Sequence, residues 1–115
     1  MKMDMDLIRD ILIEIRDDNI DQEKFDDRIL YHIELLLQRG YVEGIQVICS
    51  ESGNIFFKNN SIRLTWDGQE FVETIRPKKV WEKIKQYLSD KGVELTIDAI
   101  KMAAPTVIDN IVAKS

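Results

Sequence analysis

The sequence predicts an α+β fold of the winged helix-turn-helix kind, and three observations carry that prediction. Residues 25–44 read as an amphipathic helix: Ile29, Ile33, Leu36 and Leu37 recur at three- and four-residue spacing, and Gly40 follows Arg39 as a stop. From Gly44 the apolar period falls to two, with Ile45, Val47 and Cys49 on one side and Gln46 and Ile48 on the other. An earlier stripe of Met5, Ile8, Ile11, Leu12 and Ile15 supplies the partner helix that the central one needs. Helix, glycine stop, strand, turn and strand predict a small antiparallel β-hairpin or three-stranded sheet, followed by additional C-terminal helices.

In chain order, Asp4 and Asp6 fall in the first turn of the first helix, where negative charge is favoured. Residues 17–24 form a polar connector with one apolar anchor, Ile20, and room only for an abbreviated second helix beginning near Gln22. Asp26 or Asp27 caps the central helix. Residues 50–54 (SESGN) are a turn cluster, residues 55–57 a second strand, residues 58–61 (KNNS) another turn, and residues 62–65 a third strand. Cys49 is expected in the core. Thr65 caps a helix whose apolar side is Phe71, Val72 and Ile75, and Pro77 ends it and opens the next. Val80, Trp81, Ile84, Tyr87 and Leu88 form that helix's stripe, and Gly92 closes it. A last helix starts at Thr96, with Leu95 and Ile100 spaced for a hydrophobic staple, and a kink or break is expected at Pro105. The expected division is a winged-helix-like domain over residues 1–92 and a helical extension over 93–115, packed on the domain or at an oligomer interface.

The bulk numbers fit one soluble domain: 115 residues, 44% hydrophobic and 32% charged. No apolar run approaches the roughly 18 residues of a membrane span, and the acidic, amphipathic N-terminus is unlike a signal peptide. With a single cysteine there is no internal disulfide. The expected location is the cytoplasm, with no membrane partner. The net charge of −5 weighs against nucleic-acid binding, but the acidity is local: residues 1–27 hold ten acids and four bases.

Several stretches resemble a known family: MDMDLIRDILIEI, ILYHIELLLQRGYVEG, and RLTWDGQEFVETIR followed by VWEKIK. Over roughly residues 1–90 the chain is similar to a small family of bacterial and prophage proteins known as a domain of unknown function. The runs at residues 63–68 and 81–83 are the most specific. The resemblance implies a winged-helix-like core and a phage or mobile-element setting. It implies no activity and transfers no functional residue.

The candidate binding residues form two groups. Arg28, Tyr31, His32, Gln38 and Arg39 are expected on the outward face of the central helix, with Arg suited to guanine and Gln to adenine. Lys58, Asn59 and Arg63, with Asn60, would form a wing tip on backbone phosphate. The plain alternative is a solvated helix face and an ordinary polar turn, and Glu34, Asp26 and Asp27 would repel phosphate. Lys78, Lys79, Lys83 and Lys85 spread around their helix as a solvated face.

A calcium loop over Asp17, Asn19, Asp21 and Glu23 fails, because Gln22 and Arg28 stand where glycine and the bidentate glutamate belong. One Cys and one His cannot supply a zinc shell. No phosphate loop or nucleophile elbow is present, so neither cofactor nor enzyme activity is expected. The functional expectation is a DNA-binding transcriptional regulator of phage type. The alternative is a protein-interaction module, a homodimer or adaptor, that meets itself or a host or phage protein through the C-terminal helix.

Overall fold

A computed structural model of the chain describes residues 2–113. The fold is α+β, with five helices and one two-stranded antiparallel hairpin among the described residues. This is consistent with a small winged-helix-like fold carrying C-terminal helices. The chain forms two compact units, Met1–Glu70 and Phe71–Ser115, and the division falls within a helix. Residues 114 and 115, the end of the expected extension, lie outside the described residues.

In the first unit, α1 (Met5–Arg16) packs on α2 (Asp27–Gln38) and on the second strand. All five residues of the predicted α1 stripe are buried, Ile8 and Leu12 completely. Burial of each such side chain contributes ~1.5–3 kcal/mol. Asp4 caps α1, its Oδ1 accepting from the backbone N–H groups of Asp6 and Leu7. The connector holds a single 3-10 turn, Gln22–Lys24, capped by Asp21, as the lack of room for a second helix requires.

Asp26 caps α2, accepting from the Ile29 N–H at 2.8 Å. The α2 core residues are Leu30, His32, Ile33 and Leu36, while Ile29 and Leu37 are only half-buried. The buried face is thus turned from the one that the Ile29, Ile33 and Leu37 spacing suggests. The helix ends in a Schellman motif: Gly40 N–H donates to Leu37 O and Tyr41 N–H to Leu36 O.

The strands β1 (Val42–Cys49) and β2 (Ile55–Leu64) make one hairpin, and its tip is the predicted 50–54 turn. No third strand forms among the described residues, because the expected turn at residues 58–61 stays inside β2. Lys58 pairs with Gln46 and Asn59 with Ile45. The surplus residues are taken up in a bulge, where pairing jumps from Glu43 opposite Arg63 to Ile45 opposite Asn59. Ser61 adopts a positive φ of 72° there, and Gly44, at φ 82°, has no room for a Cβ, which would lie 2.2 Å from Ser61 O. The Asn59 carboxamide oxygen accepts the Ile62 N–H at 2.9 Å, so the side chain takes over a bond the ladder gives up. Cys49, expected in the core, is exposed; it is the last paired residue of β1, next to the hairpin turn.

Thr65 links the hairpin to α3 (Trp66–Ile75). Its N–H donates to Tyr41 O, its hydroxyl donates to Gly40 O, and Oγ1 accepts from Gly68 N–H. In the second unit, α4 (Lys78–Asp90) packs on α5 (Ile97–Ala113), burying Trp81, Ile84 and Leu88 with Ile97, Ile100 and Val107. The Thr96 hydroxyl accepts from the Ala99 N–H, as its placement before the helix predicts. α5 runs through Pro105 without breaking. The lost bond costs ~3 kcal/mol, but buried residues lie on both sides of the proline, and Pro105 itself faces solvent.

The junction at Gly68 gives a test of sign. Gly68 lies inside α3 with backbone of Tyr41 against it, and a Cβ would sit 2.0 Å from Tyr41 O. Helix propensity alone favours Ala over Gly by ~1 kcal/mol. We expect Gly68→Ala instead to lower the urea-unfolding free energy by ~2 kcal/mol or more; a gain in stability would show that α3 does not dock on this turn.

Candidate nucleic-acid interface

The predicted interface residues occupy two elements of the first unit, α2 and β2, and most already have partners within the protein. His32 is the clearest departure from expectation. The helical pattern predicts it on the outward face of α2, yet it is fully buried. Leu36 lies one turn further on, so a face that buries Leu36 carries His32 inward too. Its Nδ1 lies 2.7 Å from the carbonyl oxygen of Arg28, and its Nε2 lies 2.8 Å from the backbone nitrogen of Asp4. A carbonyl only accepts and a peptide N–H only donates, so Nδ1 carries the hydrogen and Nε2 accepts. Both ring nitrogens are occupied, and none is left to address a base edge. Tyr31 is half-buried and meets the imidazole edge-on, with ring centroids 5.3 Å apart.

Arg28 reaches back to Asp4, its guanidinium donating to Oδ2. Both side chains are partly exposed, so the pair is worth about 0–1 kcal/mol. Gln38 is exposed and donates to Glu34 at 3.3 Å, and Arg39 is exposed at the helix C-cap.

On β2, Arg63 donates from Nε to Glu43 at 3.1 Å and from a terminal nitrogen to Ser61 O at 3.3 Å. Asn59 is committed at both ends: its oxygen serves the bulge, and its Nδ2 donates to Gln22 at 3.0 Å. Lys58 is exposed opposite Gln46. None of the three is at the hairpin tip, since residues 58–61 are strand and bulge rather than turn. Arg28, His32, Asn59 and Arg63 therefore serve contacts within the protein, as Gln38 does through Glu34, while Arg28, Gln38, Arg39, Lys58 and Arg63 are all exposed. Among the described residues, no three His, Cys, Asp or Glu side chains converge to hold a metal ion.

The hairpin brings forward two residues not among those candidates. Ile48 and Phe56 are directly opposed across the ladder, and they are 46% and 55% exposed. Residues 55–57 form an unbroken apolar run, and strand alternation obliges one of them to face away from its neighbours. That was the available signal. The lysines at 78, 79 and 83 are exposed in the second unit, while Lys85 is half-buried with its ammonium 5.6 Å from the Trp81 ring centre. No helix among the described residues is long and apolar enough to cross a membrane.

Residues 2–94 match the family model described as "Hypothetical protein (DUF2513)". The chain is also similar to a Haemophilus influenzae protein whose name reads "Uncharacterized protein". The two are 30% identical over 122 residues, covering 98% of this chain and all of that one. No solved structure matches the chain. The chain belongs to the DUF2513 family.

The imidazole contacts separate structural from surface roles. We expect His32→Ala to cost ~2–4 kcal/mol, since it leaves a cavity and the Asp4 N–H without a partner. Arg28→Ala and Gln38→Ala should each stay within ~1 kcal/mol. Urea titrations followed by circular dichroism measure all three, and a His32→Ala variant as stable as the parent would remove the imidazole from the scaffold.

Proposed function

We propose that this DUF2513 member is a winged-helix-like protein-interaction module, without catalytic activity of its own, that meets another protein through the outward face of its hairpin. The observation that carries this reading is the exposed cross-strand pair Ile48 and Phe56. Two large apolar side chains held side by side on a ribbon make a rigid anchor, and interface energy concentrates in such anchors. The charges point the same way. Arg28 and Arg63 are engaged by Asp4 and Glu43, and the acidic residues Asp26 and Asp27 stand at the start of α2, where a DNA-reading helix would approach phosphate.

A second reading, a DNA-binding regulator in a phage-type setting, is supported by the order of α2, glycine stop and hairpin, and by exposed Gln38, Arg39 and Lys58. Fold order alone does not confer the function.

Two measurements decide between them. With a photoreactive phenylalanine analogue at position 56, irradiation of cells should yield a discrete protein adduct that Ile48→Asp abolishes. Fluorescence polarisation with a mixed-sequence duplex at low salt should show no binding at tens of micromolar protein. Duplex binding that weakens steeply with salt, and that Lys58→Glu or Arg39→Glu removes, would replace the first reading with the second.

A further inference from the structure

A cavity of about 170 Å3 opens in the first unit between α1, the connector and the start of α2. Leu7, Ile11, Ile20, Phe25 and Ile29 form the apolar half of its lining. Ile11 is buried and the other four are half-buried, so a partner has apolar surface left to cover. Ile20, the connector's only apolar residue, lines this opening instead of closing into the core.

The cavity is held in shape from several sides. Asn19 N–H donates to Glu14 O at 2.8 Å and Asp18 N–H to Ile15 O at 3.1 Å, pinning the connector to the end of α1. Phe25 packs edge-on against Phe57 with centroids 5.2 Å apart, and Gln22 bonds Asn59 on β2. A site already ordered does not have to be ordered by its ligand.

Charge identifies the occupant. Asp10, Glu14 and Asp21 stand exposed around the opening, and Lys24 is the one cation lining it. On α1, Asp10 and Glu14 lie four residues apart, so like charges stack along one flank at a cost to helix stability. No cation lies three or four positions from Asp10 or Glu14 on the helix to relieve them. An apolar recess beside a carboxylate ladder is complementary to an apolar side chain flanked by ammonium or guanidinium groups.

We infer that this recess docks a basic amphipathic segment of a partner protein, which inserts one apolar side chain among Ile11, Ile20 and Phe25 and lays lysine or arginine along Asp10 and Glu14. The site is separate from the hairpin face and does not depend on the reading of Ile48 and Phe56.

The test uses the full chain labelled with 15N and three synthetic twelve-residue peptides. The first carries leucine and lysine at helical spacing, the second has serine for each leucine, and the third has glutamate for each lysine. The leucine–lysine peptide should shift the amides of Leu7, Ile11, Ile20, Phe25 and Ile29 and saturate. The other two should bind at least about tenfold more weakly. The double variant Asp10→Lys with Glu14→Lys, at exposed positions, should lose about tenfold or more in affinity, and Ile20→Ser should weaken binding with the carboxylates intact. The inference is overturned if the serine peptide binds equally well, if the shifts centre on Ile48 and Phe56, or if no peptide saturates at millimolar concentration.

Discussion

Asp4 joins the first two helices of this protein through three different groups. Its Oδ1 caps α1, its Oδ2 accepts from Arg28, and its backbone N–H donates to the buried His32. The imidazole in turn donates to the Arg28 carbonyl. The ion pair, being exposed, contributes little. The buried bonds matter more, because leaving a polar group without a partner costs ~1–3 kcal/mol. They also set the rotation of α2: with His32 turned inward, Leu30, Ile33 and Leu36 follow it into the core, and the helix's outward face is settled.

That rotation governs what the protein can offer a ligand. The imidazole is consumed inside the fold, and Arg28, though exposed, is drawn toward Asp4. The hairpin presents a different chemistry. Its bulge lets β2 take Asn60, Ser61 and Ile62 against a single β1 residue, after which pairing resumes and places Ile48 beside Phe56. The same stretch supplies Asn59, which bonds the connector through Gln22. One irregularity in the ribbon thus precedes the exposed apolar pair and supplies the bond to the connector.

Much of the scaffold was legible in single residues. The five-residue stripe of α1, the Gly40 stop, the turn at 50–54 and the Thr65 cap each depend on neighbours within one or two turns of chain, and local chemistry decided them. The candidate interface was far less legible. Gln38, Arg39 and Lys58 are on the surface as expected, but His32, Asn59 and Arg28 are engaged by Asp4, Gln22 and Ile62, and two of these three lie far away in sequence. A polar side chain's partners cannot be read from its own neighbourhood. Residues 58–61 illustrate the same point, since Asn-Asn-Ser has the composition of a turn yet lies within β2, Asn59 paired and Asn60 and Ser61 in the bulge.

The sequence by itself determined where the helices, the first strand and the 50–54 turn lie, because period, capping groups and glycine stops act over a few residues. Only the tertiary structure decided which face of α2 is buried, whether the ribbon turns once or twice, and which polar groups remain available outside. Those outcomes rest on the packing of α1 against α2 and on hydrogen bonds closed between distant segments. The physical reason is that a buried donor or acceptor must find a partner wherever the fold supplies one.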